Sequence, residues 1–409
     1  MIKRRQLLGG VAAASVLSMT GIGRAQDNKT IRIGVLLDLS GPYRDTGGET
    51  AVACARQAVK DSGILERGFN VEVLVADHQQ KTDVGVGIVR KWIDQDGVDA
   101  VTEINNSAIA LGAVDVIKAK DKVFLASGPA SADFTGKACS PNTVHWALDT
   151  YCRAKSTGGA ILKNGGDSWY FVTANYAFGQ SLQAMATDVI THGGGKVLGS
   201  SVYPFPGTTD FSSFLLTATS TNPKVIAFAN TAGDLINSVK SVKEFGLDQS
   251  ITIAALAGFI TEVHALGLEA AQGLMLTETF YWDRDDRTRA FTDRINKETP
   301  KNYPNSEHAA TYASVFHYLK TVAEMGAVEA KASGRNTVRA MKKMPTDDDC
   351  FGKGRIREDG RALIPTYLLQ AKAPGESKGE WDLFKIIAET PAEEAFRPLD
   401  QNVCSTSDM

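Results

Sequence analysis

The stretch IGVLLDLSGPYRDTGGETAVACARQAV, residues 33–59, decides the fold. Its start belongs to TIRIGVLLD (30–38), a continuous apolar run of the kind a parallel sheet covered on both faces requires. A Ser-Gly-Pro turn follows. Ala51, Cys54, Ala55, Ala58 and Val59 then recur at helical spacing and make one buried stripe. Strand, polar loop and helix in that order are the unit of a doubly wound α/β domain, in which loops at the carboxyl ends of strands hold ligands.

The unit repeats along the chain. NVEVLVAD (70–77) is a second strand, and TDVGVGIVRKWIDQ (82–95) a helix capped by Thr82 or Asp83 that buries Val84, Ile88 and Trp92. VDAVTEI, a helix after Ser107, and KVFLAS follow. The pattern restarts with a helix near 150–164, the strand SWYFVTA (168–174) and a helix from about Gly179. KVLGSSVYPF, a helix capped by Asp210, KVIAFAN (224–230), a helix over 232–245, ITIAALAG and a strand near 273–278 complete a second run. Later helices fall near 286–298, 306–326 and 334–343, and the tail reads as short strands. The expected fold is α/β, with two doubly wound parallel-sheet lobes of like topology. The tail is too short to be a domain, so the chain should cross between the lobes several times and form a hinge.

Residues 1–25 stand apart. Lys3, Arg4 and Arg5 precede an apolar run of small residues from Leu7 to about Ile22, and a small-residue site ends it at Ala25. This is the pattern of an export signal cleaved near Ala25, and Arg4-Arg5 before Leu7-Leu8 resembles a twin-arginine signal. No other stretch approaches 18 apolar residues. Removing residues 1–25 takes four of the 44 basic residues and none of the 47 acidic ones, which moves the formal charge from −3 to −7. That balance argues against a nucleic-acid partner. Of the five cysteines, Cys54 lies on the helical stripe as a buried free thiol, and Cys139 can pair with Cys152 or with Cys404.

Strand-end loops supply the candidate ligand-binding residues. In the first lobe these are Tyr43 and Arg44 of SGPYRD, Asn106 and Ser107 of INNSA, and Ser127, Gly128 and Ser131 of SGPAS. Such loops lead into helix N-termini, whose free N–H groups and Ser hydroxyls suit a carboxylate. In the second lobe they are Asn175, Tyr176 and Phe178, Asn230 and Thr231, and Phe259, which together form an aromatic wall. Trp146 beside His145, and Tyr281 in TFYWDRDDRTR, should line a crossover or the cleft mouth. There is no P-loop, no G-x-S-x-G elbow and no C-x-x-C or H-E-x-x-H spacing, so no catalytic residue, metal or cofactor is expected.

IRIGVLLDLSGPY, ADHQQKTD, SGPAS, DSWYFVTANYAFGQ, GTTDFSSFL and KSVKEFGL, in this order and spacing, resemble the periplasmic solute-binding proteins of the leucine/isoleucine/valine-binding type that serve ABC importers. The resemblance implies a type I periplasmic binding protein fold with about three crossovers. Residues 28–147 would form the first lobe, 148–280 the second, 281–355 a return to the first, and 356–409 a return to the second with the tail. It further implies a monomeric periplasmic protein, a small-molecule carboxylate ligand and an ABC permease as partner. Amino-acid-binding members meet the carboxylate in loops matching Asn106-Ser107 and Ser127 to Ser131, and the ammonium with an acid in the segment matching Leu256 to Phe259. Here that segment is Leu-Ala-Gly-Phe, without an acid, and Glu262 or Asp234 would have to substitute. VHWALDT, FYWDRDDRTR and IREDGR are similar to a group whose ligands include aromatic and other organic acids. The leading expectation is therefore capture of a small organic acid, aromatic in the sharper form. Its rivals are a branched-chain amino acid or amide on the same fold, a ligand sensor, and a two-lobe enzyme.

Overall fold

A computed structural model describes residues 29–401 and 403–404; the signal-like residues 1–25 lie outside them. The first sheet has the order β2-β1-β3-β4-β5, formed by Thr30–Leu37 (β1), Asn70–Asp77 (β2), Ala100–Glu103 (β3), Val123–Ala126 (β4) and Thr143–His145 (β5), all parallel. The second runs β15-β14-β10-β9-β8-β6-β7. Its parallel part is Ser168–Ala174 (β6), Lys196–Tyr203 (β7), Val225–Ala229 (β8), Thr252–Ala255 (β9) and Met275–Glu278 (β10). Thr366–Ala371 (β14) and Phe384–Thr390 (β15) add to its edge antiparallel, so this sheet is mixed. The link from β14 to β15 carries a 3₁₀ turn, Pro374–Glu376, and no crossover helix, and the chain returns antiparallel. Read from β7 and β2, the parallel parts of both sheets have the same order, with a switch point between β1 and β3 in one and between β6 and β8 in the other.

Both faces of each sheet are covered, which is why the strands read as unbroken apolar runs. Ile33, Val35 and Leu125 pack with Cys54, Ala58, Tyr312 and Leu319 on one face of the first sheet. Leu36, Val101 and Phe124 pack with Trp92, Ile109 and Ile117 on the other. Gly34 leaves the space Trp92 fills; a Cβ there would come within 2.4 Å of the indole.

Some local expectations shift. The Thr82–Asp94 helix is preceded by Lys81, and no side chain caps it. It buries Gly85, Val89, Trp92 and Ile93, while Val84 and Ile88 are half-buried. The face turns because Gly85 abuts Ile109 of the neighbouring Ser107–Ala119 helix. The helix expected from Gly179 spans Ala177–His192. Asp210 lies one residue before the N-cap of its helix, yet its Oδ1 accepts from Ser212 N at 2.9 Å. The first lobe also extends past residue 355. A three-stranded sheet of Thr346–Asp348 (β11), Gly352–Ile356 (β12) and Ala362–Leu363 (β13) follows, and Ile356, Ala362 and Leu363 join the first lobe's core. After β15 the tail returns to that core through Ala395 and Phe396 and is tied by a Cys139–Cys404 disulfide. Cys54, Cys152 and Cys350 are buried free thiols.

Candidate functional site

The loops at the two switch points converge on one cavity, which holds about 30 Å³ of free space. Tyr43 and Thr46 follow β1, Asn105 and Ser107 follow β3, and Gly128 and Ala130 follow β4. From the second lobe come Tyr176 and Phe178 after β6, Thr231 after β8 and Phe259 after β9. Arg153 and Glu307 complete the lining.

Asp38, at the end of β1, shapes the opening loop. Its carboxylate accepts from Gly41 N at 2.6 Å and from Tyr43 N at 2.9 Å. A side chain at residue 41 would put its Cβ within 2.6 Å of that carboxylate, so glycine is required there. The turn aims the Tyr43 ring inward, where its hydroxyl bonds the Tyr176 hydroxyl across the lobes. Phe205 stacks against both rings, with centroids 5.4 Å from Tyr43 and 4.4 Å from Tyr176. Arg44 points the other way; its side chain is 63% exposed, 3.5 Å from Asp45.

The expected carboxylate loops of the first lobe are mostly engaged with themselves. Asn106 Oδ1 accepts from Ala108 N and Ile109 N and so caps its helix, while Nδ2 donates to Gln80. Ser127 Oγ accepts from Glu103 N and bonds Thr102 and Thr311. Ser131 caps the 3₁₀ turn that follows it, and its N–H donates to Ser107 Oγ at 3.2 Å. Of these predicted residues Ser107 and Gly128 line the cavity, and Asn106, Ser127 and Ser131 do not. In the second lobe Tyr176, Phe178, Thr231 and Phe259 line it. Asn175 is exposed and accepts from Gln180, whereas Asn230 is buried and donates to Ser238. Trp146 packs in the first lobe's core beside His317, and Tyr281 in the second lobe's core with its hydroxyl on Asp382. Neither is at the cavity, because the crossovers that carry them run through packed interior. His145 is a structural histidine: its ring bonds Pro129 O at 2.8 Å and receives Arg361 Nη1 at 3.1 Å.

Arg153 was not legible as a site residue. Asp149 caps its short helix, Thr150–Arg153, by accepting from Cys152 N at 2.8 Å, and a π-helical turn, Ala154–Gly158, follows directly. The side chain is 2% exposed. Nε donates to Leu148 O at 3.4 Å, the guanidinium lies 4.7 Å over the Phe259 ring, and Nη1 has no protein acceptor. Burial pulls its pKa down, and the fields of Glu278, Glu262 and Glu307 oppose that. A buried cation with an idle donor beside aromatic faces suits a planar carboxylate.

The acids proposed to meet an ammonium are occupied. Glu262 accepts from Ala232 N, Thr231 Oγ1, Phe259 N and Thr261 Oγ1, and Asp234 accepts from Tyr203 OH at 2.7 Å. Among the described residues no cluster of side chains fits a metal ion, and no helix is long and apolar enough to cross a membrane.

Residues 30–380 match the family model of the periplasmic binding proteins. A solved periplasmic binding protein of Burkholderia mallei is 40% identical, with 93% of this chain and 99% of that one covered at a TM-score of 0.88. A branched-chain amino acid ABC transporter periplasmic ligand-binding protein of Burkholderia xenovorans is 32% identical over 92% and 99%, at 0.79. A solute-binding protein of an ABC transporter from Rhodopseudomonas palustris, in complex with 3,4-dihydroxybenzoic acid, shares the fold at 20% identity over 89% and 98%, at 0.78. No curated protein matches the chain in sequence.

Proposed function

The chain belongs to the periplasmic binding protein family, and on that premise we propose that it captures a small aromatic acid in the interlobe cavity for an ABC importer. The observation that carries this reading is Arg153 Nη1, a buried cationic donor without a protein acceptor, in a cavity walled by Tyr176, Phe178 and Phe259. The ligand carboxylate pairs with that guanidinium and its ring lies against the aromatic wall. A ligand touching both lobes stabilises only the closed arrangement, so closure is a shift between open and closed populations. The closed protein then docks on its permease as a monomer and releases the acid unchanged. The dihydroxybenzoic acid held by the R. palustris neighbour supports this ligand class.

The rival, a branched-chain amino acid, draws on the name of the B. xenovorans relative. It needs an ionised acid for the ammonium: Glu262 and Asp234 already hold protein donors, and burial beside Glu103 raises Glu307 well above the usual carboxyl range, which favours a neutral donor there over a cation. A buried ammonium without an ionised partner costs several kcal/mol.

Melting shifts of the purified chain across aromatic acids, 2-oxo acids, amides and branched-chain amino acids test the reading. A ligand at ~100 times its Kd adds about 2.7 kcal/mol to stability. Aromatic acids should raise the melting temperature; a rise with leucine or valine and none with the acids overturns the assignment.

A further inference from the structure

The buried carboxyl groups on the elements that wall the cavity divide into two kinds, and Asp38 and Asp149 are held by the backbone N–H groups already given. Glu262 and Asp234 are held by the donors named above. Glu278 accepts from Ile260 N at 2.8 Å and from Ser306 N and Oγ at 2.9 and 2.7 Å. Glu103 and Glu307 differ: each is at least nine-tenths buried, and Oε1 of each has no protein donor. Glu307 faces the cavity directly.

The surroundings of these two carboxyls are specialised. Glu103 and Ile104 hold φ values of 71° and 57°, a left-handed conformation costly for such residues and concentrated at functional sites. Gly47 and Gly128 leave the space the carboxyls occupy. A Cβ on Gly47 would stand 3.0 Å from Glu307 Oε1 and 3.2 Å from Glu103 Oε1, and one on Gly128 would stand 2.3 Å from Glu103 Oε2. The two oxygens that lack donors thus share one space beneath Gly47, in reach of one another. Burial first, and for Glu307 the neighbouring Glu103 next, pushes both carboxyls upward. Two carboxyls this close and this deeply buried cannot both stay ionised, and Glu307 keeps acceptor capacity towards the cavity it lines.

We infer that Glu307, backed by Glu103, is a donor-accepting subsite, so that the ligand carries a hydroxyl or amino hydrogen besides the carboxylate held by Arg153. The inference rests on the aromatic-acid reading and sharpens it: the class narrows to acids that bear a hydrogen-bond donor. A carboxyl in such a place discriminates strongly, because an analogue without the donor leaves a buried acceptor unmet.

The test is titration calorimetry on the wild-type chain with benzoate and its hydroxy, amino and methoxy derivatives, substituted at the meta and para positions. Hydroxy or amino acids should bind at least ~10-fold tighter than benzoate and the matched methoxy acids, from the penalty of about 1–3 kcal/mol for an unmet buried acceptor. The hydroxy and amino arms tell the two donors apart. In Glu307→Leu the preference should shrink to within ~3-fold, since the acceptor is gone. Equal affinity for all the acids in wild type, or a preference undiminished in Glu307→Leu, overturns the inference and leaves the aromatic-acid reading standing. Binding of none of these acids overturns that reading and this inference with it. Should Glu307→Leu fail to fold, the wild-type comparison of hydroxy with methoxy decides alone.

Discussion

The two walls of the cleft use their polar groups in opposite ways. On the first lobe the serines and asparagines are numerous, but Asn106, Ser127 and Ser131 are taken up by caps and cross-strand bonds. On the second the lining is largely aromatic, yet the hinge helix beside it presents Arg153 with a donor to spare. Polarity in a loop is therefore not availability. Among the residues that line the cavity, the groups the fold leaves unsatisfied are Arg153 Nη1 and Glu307 Oε1.

Replacing Arg153 by Met is the strongest way to break this contrast. Affinity for an aromatic acid should fall about 100-fold, from loss of a charge-assisted hydrogen bond of up to ~3 kcal/mol. Calorimetry on the acid identified by the melting screen measures it, and unchanged affinity would return the anchor to the first lobe.

Ser127→Ala probes the opposite wall. The change strands Glu103 N without an acceptor, so stability should drop by about 1–3 kcal/mol in urea unfolding while affinity stays within ~3-fold. A large affinity loss with intact stability would mean the serine faces the ligand after all.

Glu278 sharpens the contrast through pH. It joins Ser306 of the first lobe's returning helix to Ile260 of the second lobe. Burial raises its pKa to about 7 against the opposing bonds of Ser306 and Ile260 and the field of Arg153. The folded form takes a proton before the unfolded chain does. Wild type should thus gain stability relative to Glu278→Gln as pH falls from about 7 towards the ordinary carboxyl value of about 4.3, with no relative change above that window. Urea midpoints of both proteins at three pH values would show it, and a flat difference would count against the raised value.

Tyr43→Phe should have the smallest effect. The ring keeps its stack on Phe205 and loses only the bond to Tyr176. About 1 kcal/mol less closure energy weakens binding by roughly 5-fold. An equal loss in Arg44→Ala would show that the neighbouring arginine also reaches inward.

The framework was legible because it rests on local pattern. TIRIGVLLD and SWYFVTA are unbroken apolar runs, and their loops fall at the switch points of sheets that alternate strand and helix. Tyr43, Ser107, Tyr176, Phe178, Thr231 and Phe259 could be found that way, since each follows a strand. Arg153 and Glu307 could not. YCRAK reads as an ordinary helix with basic residues, and only the lobes meeting around it bury the guanidinium. Glu307 stands in the first turn of a helix, where an acid is expected for the helix dipole alone. Its second role depends on Glu103, distant in sequence, and on the glycines that admit both. Trp146 and Tyr281 misled for the converse reason: an aromatic near a crossover reads the same whether it faces a cleft or a core.

The Cys139–Cys404 bond, with a sequence separation of 265, makes the chain a closed ring that contains the whole second lobe and both returning segments. A protease that nicks any loop between those cysteines cuts a ring, not a line. The products stay joined, migrate together until a reductant is added, and keep the second lobe tethered at both ends. Ring closure also removes roughly 5.6 kcal/mol of freedom from the unfolded chain on the loop-entropy account. Proteolytic damage thus need not mean loss of the protein, so long as this one bond holds.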